Sequence, residues 1–151
     1  MHDNDKNFKI IEHPSDVGMS ISSTSLEGAF ESAAKGMFSI ICDPGGVKPL
    51  EIKKISISCS PGMNYEDLMI SWLERLLYLH EVNKMLFSRF EVIIHSSAAG
   101  KVMLKATVYG EKIAPERHEL YLSVKAPTYH KLSLHQDGVS GKWQGQVIFD
   151  V

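Results

Sequence analysis

Two aspartates near opposite ends of the chain carry the clearest chemical suggestion in this sequence. Asp16 stands in His13-Pro14-Ser15-Asp16-Val17-Gly18, where a strand pattern begins, and Asp150 stands in the closing run Val147-Ile148-Phe149-Asp150-Val151. The closing run alternates apolar and other side chains to its last residue, so it reads as a strand packed against the body, whereas chain ends usually fray. Packed in that way, it sets the Asp150 carboxylate beside the α-carboxylate of Val151. If the two ends meet in space, the cluster is a candidate site for a hard cation.

Three segments concentrate charged or hydrogen-bonding residues at loops or strand ends: 13–18, Pro115-Glu116-Arg117-His118-Glu119, and Val124-Lys125-Ala126-Pro127-Thr128-Tyr129-His130. Each has an ordinary explanation as a solvated loop. Asp16 alone would be a turn or capping aspartate, and Arg117 half of a surface ion pair of little worth. Lys125 is the least ordinary of these residues. Its neighbours Val124 and Ala126 read as buried, and a lysine fixed on a strand face can hold a carboxylate or phosphate.

Familiar catalytic templates are absent. The sequence contains no G-x-S-x-G, H-E-x-x-H, P-loop or G-x-G-x-x-G, which counts against a nucleophile elbow, a zincin site or a Walker-type phosphate cradle. Most of the seven histidines have structural explanations; His80, for example, closes a helix, where a cation is mildly favourable. The two cysteines, Cys42 and Cys59, form no C-x-x-C and read as buried thiols.

A chain of 151 residues, 44% hydrophobic, can build one core. Its formal net charge of -2 leaves no basic excess for phosphate-backbone binding. Direct high-affinity nucleic-acid binding is therefore not expected. No apolar window reaches the length a bilayer needs, and the N-terminus has no apolar signal region. The expectation is a soluble, cytoplasmic protein with a flexible tail over residues 1–7 and a single domain over residues 8–151.

Two amphipathic helices must carry the body. From Leu26 to Ile41, the residues Leu26, Ala29, Phe30, Ala33, Ala34, Met37 and Phe38 form one apolar stripe. Thr24 with Glu27 reads as a capping box, and Pro44 as the stop. From about Glu66 to His80, the residues Leu68, Met69, Trp72, Leu73, Leu76 and Leu77 share a face behind Asn64 as N-cap. The rest alternates with period two. Strand patterns cover residues 8–12, 17–22, 55–60, 87–95, 101–108, 121–126, 132–135 and 143–151, about eight in all, with loose boundaries. Gly-containing connectors at 96–100 and 137–141 imply antiparallel hairpins. The fold class is α+β: two amphipathic helices packed on mostly antiparallel β-sheets.

With these elements in place, the sequence resembles the archease family. The strings that carry the likeness occur in order: His13-Pro14-Ser15-Asp16-Val17-Gly18, Leu26-Glu27-Gly28-Ala29-Phe30, Trp72-Leu73 with Leu79-His80, Phe87-Ser88-Arg89-Phe90, Pro115-Glu116-Arg117-His118, Val124 to His130, and Phe149-Asp150-Val151. The resemblance implies an accessory protein of RtcB-type RNA ligases, which join ends carrying a 2',3'-cyclic phosphate or 3'-phosphate to a 5'-hydroxyl in tRNA splicing and RNA repair. It implies no catalysis by the chain itself. Its role would be to promote GTP-dependent guanylylation of the ligase's active-site histidine and so allow multiple turnover. It also implies a divalent metal ion, calcium foremost with magnesium or manganese as alternatives, on Asp16, Asp150 and Val151. These are oxygen donors, which hard cations prefer, and water and backbone carbonyls would complete a Ca2+ shell of about six to eight oxygens. On this reading His13, Arg117, His118, Lys125 and Thr128 contact the partner or the GTP phosphates. Two other classes compete: a small chaperone or modulator of RNA-processing enzymes, and a stand-alone metal-dependent phosphoesterase using the acidic corner.

Overall fold

The apolar stripe of residues 26–41 becomes helix α1 (Leu26–Ile41), and that of the second run becomes α2 (Tyr65–Val82). The computed structural model of the protein describes residues 7–12 and 15–151, without the side chain of Glu12. Most of the expected tail, residues 1–6, and the candidate His13 lie outside the described residues.

Ser25 caps α1: in an extended conformation (φ -137°), its hydroxyl accepts from the N–H of Gly28 at 3.0 Å. The capping box expected from Thr24 and Glu27 does not form. With the cap one residue later, Gly28 takes the third helical position and has no side chain to reach back. After Cys42 the chain turns into a single 3-10 turn, Pro44–Gly46. The start of α2 follows expectation. The Asn64 side chain accepts from Asp67 N–H at 2.8 Å, and the Asp67 carboxylate accepts from Asn64 N–H at 3.2 Å. The buried Trp72 indole N–H donates to the Phe30 carbonyl at 2.9 Å and pins α2 to α1.

Among the described residues, seven strands form two antiparallel sheets. One contains β1 (Phe8–Glu12), β2 (Asp16–Ser23), β6 (Ala126–Gln136) and β7 (Trp143–Asp150), in the order β1-β2-β7-β6. The other contains β3 (Glu51–Ser58), β4 (Met85–Ser96) and β5 (Val102–Lys112), in the order β3-β5-β4. The two Gly-containing connectors join β4 to β5 and β6 to β7 as the hairpins expected. One core unites these layers; Val17, Met19, Phe30, Phe38, Leu73, Phe87 and Phe149 are all buried in it. Cys42 and Cys59 are free and buried, and burial pushes the Cys42 thiol up to about 12. Helix carboxylates seal two edge strands, where unpaired donors would otherwise invite another chain. Glu31 accepts from Val92 N–H at 2.9 Å, and Glu66 accepts from Leu134 N–H at 3.3 Å.

The strand expected over 121–126 is absent before Ala126. Its backbone donors go elsewhere: Tyr121 N–H to the Ile41 carbonyl at 2.8 Å and Leu122 N–H to the Ile40 carbonyl at 3.1 Å. A helix leaves its last carbonyls without partners, and at α1 this segment supplies donors to them. The pattern at 132–135 belongs to the longer β6, which begins at Ala126, so eight expected strands become seven.

Candidate functional site

The inner faces of β2 and β7 pair Val17 with Phe149 and Met19 with Val147, all buried. Slipping this register by one residue would turn the whole apolar set to the other face, so the core fixes the alignment to the end of the ladder. There Asp16 lies directly opposite Asp150, and Asp150 is in turn opposite Ala126 of β6. The two ends of the sequence therefore meet, with both aspartates in one row across adjacent strands.

Like charges directly opposite in a ladder repel. Asp16 is half-buried, and its Oδ1 atom is buried without a hydrogen-bond partner among the described residues. Leaving such an oxygen unsatisfied is costly, and a cation would answer both the repulsion and the missing partner. The donors are oxygens, which fits calcium, magnesium or manganese and not zinc or copper. Among the described residues, no group of three or more His, Cys, Asp and Glu side chains is placed to hold a metal. Main-chain oxygens and water are ligands that could add to the two aspartates. Val151 is close by: its N–H donates to the Ser15 carbonyl at 3.4 Å.

Lys125 and Thr128 border this corner. The Lys125 N–H donates to the Asp150 carbonyl at 2.8 Å, and the lysine is exposed. Thr128, opposite Ile148, donates its hydroxyl to the Ile148 carbonyl at 2.8 Å. That bond sits where the β6–β7 ladder breaks, between Thr128 and Ser133.

Arg117 and His118 belong to a different constellation, built around Glu111 at the end of β5. One Glu111 oxygen accepts from Arg117 Nη2, and the other accepts from Lys48 N–H at 2.6 Å and meets His118 Nε2 at 3.0 Å. The Ala114 N–H donates to His118 Nδ1 at 2.8 Å. Since Nδ1 accepts, the ring carries its proton on Nε2 and donates it to Glu111. The Arg117 hydrogen bond, against the opposing effect of burial, holds the Glu111 carboxyl down at about 2, helped by Lys48 N–H and His118. His118 is buried, while the Arg117 side chain is 41% exposed and also reaches the Gly46 carbonyl at 3.2 Å. This network ties the loop after β5 to the 3-10 turn; the acidic corner lies on the other sheet.

With that geometry established, residues 8–151 match the Archease protein family (MTH1598/TM1083). The chain belongs to the archease family. It is 35% identical over 146 residues to the protein archease of Pyrococcus abyssi, covering 97% of this chain and 99% of that one. It is 38% identical over 141 residues to that of Pyrococcus furiosus, covering 93% and 95%. Its fold is similar to the solution structure of Methanobacterium thermoautotrophicum protein 1598. The TM-score is 0.82 at 30% identity, covering 96% of this chain and 99% of the other. The α+β architecture read from the sequence is the architecture of that family.

Glu111 was not among the candidates read from the sequence. It sits on the parity opposite to Leu104, Ala106 and Val108, where a strand acid normally faces water, and it is buried at 6% exposure. The available signal was Arg117-His118 a few residues on: two nitrogen donors in a short loop that folds back over its own strand.

Proposed function

We propose that the protein is an accessory factor in RNA processing, a non-catalytic activator of an RtcB-type RNA ligase. It would promote guanylylation of the ligase's active-site histidine by GTP and sustain multiple turnover in tRNA splicing or RNA repair. One observation carries this reading beyond the family match: the Asp16–Asp150 pair, with a buried carboxylate oxygen that has no partner among the described residues. Asp16, Asp150 and Val151 would hold a divalent cation, calcium foremost. When bound, the ion supplies positive charge that neutralises the corner and can attract phosphate oxygens.

The chain's own residues position and orient. The β2–β7 register holds the two carboxylates on a rigid ladder rather than a mobile loop. Lys125, exposed and anchored by its backbone to Asp150, would offer its ammonium to a phosphate or a partner carboxylate. Thr128 secures β6 to β7 through the Ile148 carbonyl. The Glu111–Arg117–His118 network fixes the start of the loop that ends at Lys125.

The test is multiple-turnover RNA joining by the cognate ligase, with and without substoichiometric amounts of this protein. Stimulation is expected with the wild-type chain and loss of it with Asp16→Lys, which turns the corner cationic. Full stimulation by Asp16→Lys would sink the role given to the corner, and no stimulation by the wild type would sink the activator reading.

A further inference from the structure

Between the Glu111 network and the acidic corner, the chain displays three large apolar side chains in succession. Leu120, Tyr121 and Leu122 are 48%, 50% and 42% exposed. Their backbone is fixed: Leu120 bridges Cys42, Tyr121 and Leu122 donate to the last carbonyls of α1, and Asp43 N–H donates to the Glu119 carbonyl at 3.1 Å. A strip held this firmly with its apolar groups outward loses little freedom on being covered. Scattered exposed apolar residues are ordinary, but a contiguous set on a rigid support marks an interaction surface.

The surrounding charge narrows what can cover it. Two acids flank it: Glu119 directly precedes Leu120, and Asp43 follows its bridge partner Cys42, with the Asp43 N–H on the Glu119 carbonyl; burial and then these carboxylates push ionisation of the Tyr121 phenol upward. Arg117, upstream, has its charge taken by Glu111. Lys125 lies beyond the buried Val124, next to Asp150. A second copy of this chain meeting the strip about a twofold axis would set acid against acid.

We propose that the Leu120–Tyr121–Leu122 strip docks into an apolar hollow rimmed by lysines or arginines on a different protein. This rests on the ligase reading above and takes the ligase as that partner, since an enzyme that grips RNA ends and GTP presents basic surface around its cleft. The strip adds binding, while the acidic corner acts on guanylylation.

The experiment is titration of this protein onto the cognate ligase, followed by calorimetry and by guanylylation rate. The variants are Leu120→Ser/Leu122→Ser and, separately, Glu119→Lys; both alter exposed side chains, and unchanged thermal unfolding checks that they fold. The double variant is expected to bind at least about tenfold more weakly yet reach the wild-type maximal guanylylation rate at saturation. Glu119→Lys should bind about threefold more weakly and lose part of the salt dependence. Wild-type binding left unchanged by both variants overturns the docking strip alone. Absence of wild-type binding overturns the ligase reading and the strip with it. Wild-type self-association that the double variant abolishes assigns the strip to a second copy and overturns the heterologous partner.

Discussion

Asp16 and Asp150 are direct cross-strand partners at the end of the β2–β7 ladder, and Asp16 Oδ1 is buried there with no donor among the described residues. The core pairs Val17 with Phe149 and Met19 with Val147, which fixes this register. The repulsion between the aspartates is therefore imposed by the hydrophobic pattern and cannot be relieved by a local slip.

Removing one charge should separate the metal's contribution from that of the fold. In EDTA, Asp150→Asn is expected to be at least as stable as the wild type. Relief of a like-charge cross-strand pair is worth about 0.2–1 kcal/mol, or up to about 4 °C in Tm for a chain of this size. Added calcium at about a hundredfold over Kd should raise the wild-type Tm by roughly 5–10 °C, corresponding to about 2.7 kcal/mol of binding, and leave Asp150→Asn nearly unmoved. Thermal unfolding of both proteins across a calcium series reads the difference.

Glu111 should give the protein a specific acid sensitivity. Its folded carboxyl titrates at about 2, below the ordinary 4.5, because Arg117 first, then Lys48 N–H and His118, bond to the charged form. The unfolded chain therefore binds more protons between these values. The contribution is fully present above about pH 4.5 and is lost as pH falls through about 2. Glu111→Gln removes it, with an expected cost of about 1.5–3 kcal/mol at neutral pH, the range for hydrogen bonds to a charged group. Urea unfolding of both proteins between pH 7 and pH 2 should show the gap closing in that window.

Gly110 should not tolerate a methyl group. A Cβ there would lie 1.8 Å from the Leu86 carbonyl oxygen and 2.9 Å from the Phe87 Cα, so the β4 backbone would have to move. This is where the β4–β5 register shifts, between Phe87 and Arg89. Gly110→Ala is expected to cost about 1–3 kcal/mol by overpacking, and it should disturb the adjoining Glu111 network. The stability loss is read by denaturant unfolding.

The sequence made the helices and the two terminal strands legible for one reason: each depends on a period. The stripe from Leu26 to Phe38 and the alternation of Val17, Met19 and Ile21 are local records of what faces the core. Asp16 and Asp150 sit at the ends of such patterns, but the pairing of their strands was only a condition there, since a local period does not name its partner strand. Segment 121–126 carried an apolar pattern too, but its donors are taken by the Ile40 and Ile41 carbonyls, a distant partner that no periodicity encodes. Glu111 was hidden for a similar reason. Its burial comes from Lys48, Arg117 and His118 folding around it, so its own strand gave no sign. The true cap of α1 shifted by one residue because two neighbouring hydroxyl residues, Thr24 and Ser25, both suit the position.

The role of the acidic corner is measured most directly by the initial rate of GTP-dependent guanylylation of the cognate RtcB-type ligase in the presence of this protein, wild type against Asp150→Ala, with divalent metal supplied. Stimulation is expected with the wild type, and its loss, by at least about tenfold, in a variant that remains folded. Equal stimulation by both would contradict the acidic corner as the working part of the molecule.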